Sequence, residues 1–156
     1  MTLGISIGSR LCGSAVLNRF ELIEWRTHTL RANCTERKAK VICRAIEEYI
    51  VMYDIKTVSV KIPPYRTHSA GITLLLARLL ELLKHHDCTV QVHTKHAILK
   101  AVPEVRHPNE LIRYVTSKYS MLIPEQTNEL ANKRPYHRKM FEAVLVAHIT
   151  AKERYN

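Results

Sequence analysis

The order in which the hydrophobic period changes along the chain constrains the fold most strongly. Three short β-type runs fill the opening 25 residues: 3–7, 13–17 and 20–25. Asn18-Arg19 separates the second from the third, and asparagine suits a tight hairpin turn there. In the third run Leu22 and Ile23 point to opposite faces, as expected for a sheet covered on both sides. The period then turns helical over 33–53, where Val41, Ile42, Ala45, Ile46, Tyr49 and Ile50 share a face and the basic opening faces solvent. Residues 57–62 are β-branched and alternating, hence a strand, and Pro63-Pro64 ends it. A helix is expected over 69–86, a strand over 89–93, and helices over 95–102 and 108–119. Residues 122–135 read as a polar loop with at most a helical turn. A last helix over 136–153 turns Phe141, Val144, Leu145, His148 and Ile149 inward. The series β-β-β-α-β-α-β-α is an α/β pattern with an antiparallel hairpin at one end of the sheet. At 156 residues, one domain spanning 1–156 is expected.

The first strand carries a motif. Leu3-Gly4-Ile5-Ser6-Ile7-Gly8-Ser9-Arg10 resembles the opening motif of RuvC-type Holliday junction resolvases, members of the ribonuclease H-like superfamily. That family has a short apolar strand, an aspartate, one variable residue and Gly-Ser-Arg; here Ser6 stands in the aspartate's place. The resemblance implies a ribonuclease H-like fold, a five-stranded mixed sheet flanked by helices. It also implies metal-binding carboxylates from three places: the first strand, the end of the fourth strand and the start of the last helix. At the second place the best match is Lys61. At the third, Lys139 and Glu142 fall on the family's two acidic positions, three apart on one helix face. Shifting the alignment by a residue or two restores nothing, because Glu142 is the only acid between Glu129 and Glu153.

A serine hydroxyl is a poor ligand for Mg²⁺, which favours carboxylate oxygens. Two-metal nucleases hold their ions ~3.5–4 Å apart and need several carboxylates to offset that charge. The positions Ser6, Lys61, Lys139 and Glu142 therefore read as a vestigial site with no cofactor, Mg²⁺ entering only if a rearranged site is active. A lone buried charge is costly, so Lys61 is expected to pair with Glu142 across the sheet–helix interface. Ser6 is expected to be a strand serine with its hydroxyl bonded locally, because no base for a nucleophile is indicated.

Charge points to the partner. The formal net charge is +10, and the only aspartates are Asp54 and Asp87. Such an excess favours a polyanion and counts against an acid-rich metal centre. Arg10, Arg66, Lys133, Arg134, Arg138 and Lys139 fall in the loops and helix start that border the family's cleft, where phosphate contact is expected. Tyr65 and Tyr136 either stack on bases or pack. The expected partner is nucleic acid, DNA of structured or branched form. Cys12, Cys34, Cys43 and Cys88 show no Cys-x-x-Cys spacing, so ordinary thiols are expected rather than a zinc site. His85, His86, His93 and His96 form no metal-ligand pattern. No run of ~18 apolar residues and no signal-like N-terminus is present, so a cytoplasmic protein without membrane contact is expected.

Two other readings stand beside the first. One is an active metal-dependent endonuclease built on Glu142, His137 and an acid such as Glu104 or Glu21; it needs a second carboxylate beside Glu142. The other is an interaction or scaffold protein using helix 69–86, whose leucines leave only a narrow polar stripe and which also offers a surface for a homodimer.

Overall fold

The computed structural model describes residues 1–30, 35–132 and 135–156. The three opening runs form an antiparallel meander of β1 (Thr2–Ile7), β2 (Leu11–Asn18) and β3 (Glu21–Thr29). β3 runs four residues beyond the expected Trp25, because Thr27 and Thr29 find partners in Gly13 and Leu11 of β2. Phe20 is not in the strand. Asn18 pairs with Glu21, leaving Arg19 and Phe20 as the hairpin turn, with Arg19 in the left-handed region at φ 54°. β4 (Thr57–Lys61) joins β1 in parallel and β5 (Thr89–His93) joins β4, giving a five-stranded mixed sheet ordered β3-β2-β1-β4-β5. This is the ribonuclease H-like arrangement of antiparallel and parallel strands flanked by helices.

The two faces of the sheet are chemically different. Leu3, Ile5 and Ile7 of β1, with Val58 and Val60 of β4, pack beneath α1 (Glu36–Met52) and α2 (Ala70–His85). Each large aliphatic side chain buried there contributes about 1.5–3 kcal/mol. The other face presents Gly4, Ser6, Gly13, Ser59 and Lys61 to α6 (Arg138–Tyr155). α6 is buried continuously from Met140 to Ala147. A helix buried all round needs cover on both sides, and α4 (Pro108–Lys118) supplies the side away from the sheet. α3 (Lys95–Ala101) adds Ile98 to the same apolar cluster.

α1 starts at Glu36, where the Thr35 side chain accepts from the Lys38 amide; the expected beginning at Asn33 lies outside the described residues. α2 buries Gly71, Ile72, Leu75, Leu79 and Leu83, and partly buried Leu76 and Leu82 pack on the same core. Leu80 stays exposed and Leu74 partly so.

The expected loop over 122–135 is instead a helix, α5 (Ile123–Ala131). Pro124 presets its first turn, and Glu125 complements the helix's positive end. Its only buried residue is Glu129, so no apolar stripe announced it. Glu129 caps the next helix: its Oε2 accepts from the amides of Tyr136 and His137, at 3.1 and 2.7 Å. Trp25 Nε1 donates to Glu125 and ties α5 to β3. Among the described residues, no helix is long and apolar enough to cross a membrane.

Candidate functional site

α6 can approach the sheet closely because the strands beneath it carry glycine. A Cβ at Gly4 would lie 2.0 Å from the Ala143 carbonyl oxygen, and one at Gly13 would lie 2.1 Å from the Lys139 carbonyl. Neither position tolerates a side chain without displacing helix backbone. The close approach brings the first turns of α6 to the carboxyl ends of β1 and β4, the edge where ligands bind in open α/β sheets.

There the four positions singled out from the sequence meet on one atom. Glu142 Oε2 accepts from Ser6 Oγ at 2.5 Å and lies 3.0 Å from both Lys61 Nζ and Lys139 Nζ. The expected Lys61–Glu142 pair is in place. The expectation for Ser6 fails: its hydroxyl is bonded not locally but to a helix at the far end of the chain. The reason is burial, since Ser6 is fully enclosed beneath α6 and the carboxylate is the acceptor within reach.

The titration of the cluster follows from this geometry. Burial opposes the Glu142 charge, but the two ammonium groups and the Ser6 hydroxyl outweigh it and hold the carboxyl below its ordinary value. Burial pushes the Lys61 ammonium down, and the attraction of Glu142 offsets this incompletely while Lys139 adds repulsion. The cluster thus carries one carboxylate against two ammonium groups, all largely shielded from water.

Beside it opens a cavity of about 160 Å³. Lys61, Glu142 and Arg138 form one side; Lys95, Arg106 and His107 approach from the start of α3 and the α3–α4 loop. Arg138 and Lys139, expected at the basic rim, are therefore at the site. Arg10 and Arg66 are exposed on the loops after β1 and β4 but do not line the cavity. Lys133 and Arg134 lie outside the described residues. Lys95, Arg106 and His107 were missed in the sequence. The usable signal was position, because Lys95 follows the end of β5 at the same sheet edge and Arg106-His107 precede the start of α4.

The remaining candidates have other partners. His137 Nδ1 lies 3.4 Å from Thr27 Oγ1, and its ring packs edge-on against Tyr136. Glu21 pairs with Asn18 at the hairpin, at the opposite end of the sheet. Glu104 is exposed, and its charge bears on Tyr114. His93 is held in a second buried polar group: its Nε2 lies 3.2 Å from Thr150 Oγ1, which also accepts from Ser59 and donates to Gln91. His86 pairs with Glu47. Among the described residues no three His, Cys, Asp or Glu side chains are grouped to hold a metal.

These donors do not fit the divalent metal that a nuclease of this architecture implies. Among the described residues, Glu142 is the one carboxylate lining the cavity, and its Oε2 is shared by two ammonium groups. A hard dication would have to enter against both positive charges with a single carboxylate to offset it.

No protein-family model and no curated protein matches the sequence. Solved structures do match the fold. A Thermus thermophilus RuvC in complex with a Holliday junction substrate aligns at TM-score 0.74 and 13% identity, covering 99% of this chain and 95% of that one. A second T. thermophilus RuvC structure gives 0.72 at 12% identity with the same coverage. The yeast mitochondrial Holliday junction resolvase gives 0.52 at 13% identity, over 99% of this chain and 78% of that one. The chain has the RuvC fold.

Proposed function

We propose that this RuvC-fold chain binds structured or branched nucleic acid, DNA by preference, and does not cleave it. The observation that carries this reading is the convergence of Lys61 and Lys139 on Glu142 where the resemblance leads one to expect clustered acids. An aspartate-to-serine change alone would leave a weakened metal site. Two lysines at ligand positions instead make the site attractive to phosphate without a metal ion. The T. thermophilus RuvC with a Holliday junction substrate supports DNA as the partner through the shared fold.

The surroundings agree with that chemistry. Arg138, Lys95 and Arg106 line the cavity, and Arg10 and Arg66 are exposed on the loops after β1 and β4. Arginine and lysine contacts to phosphate position a protein on a nucleic acid without reading its sequence. Tyr65, next to Arg66, is 89% exposed, which leaves its ring available to stack on an unpaired base.

The test is a gel-shift series with single-stranded, duplex and four-way DNA, with and without Mg²⁺, at two salt concentrations. The four-way form should bind best, and Mg²⁺ should not be required. Six phosphate contacts would cost roughly a thousandfold in affinity between about 50 and about 200 mM salt. Arg138→Ala should reduce that salt dependence. Binding that ignores salt, or equal indifference to all three DNAs, would count against the reading.

A further inference from the structure

The geometry points to a specific ligand for the cavity beside Glu142: a terminal phosphate, that is, a phosphomonoester on a sugar. The inference deepens the nucleic-acid reading and rests on it only where the phosphate belongs to a strand end.

Size comes first. A cavity of about 160 Å³ holds on the order of ten water-sized groups at roughly 10–15 Å³ each. A phosphate and a sugar ring come to about that many atoms, whereas a whole nucleotide exceeds it. An internal phosphodiester could enter only with the nucleotides on either side left outside the cavity.

Charge comes second. Lys61, Lys95, Arg106 and Arg138 line the cavity against the single carboxylate of Glu142, which Lys139 also contacts from the side. The excess matches a phosphomonoester, which carries about −1.5 to −2 at neutral pH, better than the single charge of a diester. The first residues of α4 and α6, Pro108 and Arg138, also line the cavity, and the positive ends of their helix dipoles add to the same preference.

Hydrogen bonding comes third. Arg138 Nε is buried and, among the described residues, has no hydrogen-bond partner. Buried donors in folded proteins are nearly always satisfied; this one is shielded from the cavity that Arg138 lines, and a phosphate oxygen there would reach it after the side chain turns. Ile98, Leu99 and Leu111 give the cavity an apolar lining as well. It suits the carbon face of a sugar and offers a second phosphate nothing.

The experiment is calorimetric titration of the full chain with two sets of probes. One set is a short single-stranded DNA bearing a 5′-phosphate, a 3′-phosphate or neither; the other is ribose 5-phosphate against ribose. A phosphorylated probe should bind at least about tenfold more tightly than its unphosphorylated counterpart. Preference in the first set identifies a strand end, and preference in the second a free sugar phosphate. The preference should vanish in Lys95→Ala/Arg106→Ala, whose two side chains are exposed and whose melting temperature should match the parent's. Equal binding with and without phosphate overturns the pocket, as does a preference that survives the double substitution. An unphosphorylated four-way junction, titrated in parallel, separates the two claims. If it binds while phosphate preference is absent, the pocket fails and the nucleic-acid reading stands. If phosphate preference appears without junction binding, the reverse holds.

Discussion

Lys61, the last residue of β4, holds Glu142 of α6 with an Nζ–Oε2 separation of 3.0 Å, and the two side chains are only 13% and 9% exposed. On the proposed reading, the pair occupies positions where the RuvC resemblance implies metal-binding acids. The attraction there is between one carboxylate and two lysines, Lys61 and Lys139.

The first consequence is an asymmetry between the partners. Glu142→Gln leaves Lys61 and Lys139 facing each other with no counter-charge, and removing one partner of a buried pair costs about 3–5 kcal/mol. Lys61→Met leaves Glu142 with Lys139 and Ser6 and should cost about 1 kcal/mol, the net worth of a typical hydrogen bond. Chemical denaturation of both variants checks the order. A cost for Lys61→Met equal to or above that for Glu142→Gln would contradict it.

Restoring acids one at a time should not restore a metal site. In Ser6→Asp the new carboxylate meets Glu142 between two lysines, and both lysines still repel a dication. Thermal melts with and without Mg²⁺ or Mn²⁺ should coincide for that variant. The triple variant Ser6→Asp/Lys61→Glu/Lys139→Asp should melt at higher temperature in the presence of metal, by mass action on the folded state.

Acid should destabilise the protein in two stages. Burial, with a smaller contribution from Arg26, holds His28 down at about 4. The unfolded chain therefore takes up a proton first, and stability present above about 6.5 is lost as the pH falls towards 4, by no more than about 3 kcal/mol for this residue. His93 and His148 are lowered by burial in the same direction. Glu142 is also held low, so its contribution is present above the ordinary carboxyl range and is lost on falling through its folded value at more acid pH. Melting temperature against pH should show both stages, and His28→Gln, which keeps a partner for Ser14, should shrink the first, leaving the part due to His93 and His148, and leave the second unchanged.

The glycines beneath α6 should be as intolerant as the charges. A methyl at Gly4 or Gly13 has no space short of the helix backbone, and overpacking of this kind costs typically 1–3 kcal/mol or more. For a chain of this size that lowers the melting temperature by roughly 2–4 °C per kcal/mol. Gly4→Ala that melts with the parent would show that α6 is not held as closely as described.

The sequence revealed the sheet, because its strands are apolar on one face and its turns carry clear signals. It also pointed to the cluster, since Ser6, Lys61, Lys139 and Glu142 meet on one carboxylate oxygen. Three things escaped it for physical reasons. α5 shows no apolar stripe, since its buried contribution is the capping carboxylate of Glu129. The partner of Ser6 could not be read locally, because a strand serine meets Glu142 only after α6 settles on glycine. Lys95 and Arg106 escaped as well, since their approach to Lys61 depends on where the α3–α4 loop comes to rest.

The central claim is binding without cleavage. The most direct measurement incubates purified protein with four-way DNA under Mg²⁺ and, separately, Mn²⁺, and follows binding and strand scission in the same samples. The account predicts a retarded complex and intact strands with either metal. Metal-dependent scission that disappears in Glu142→Gln would contradict it.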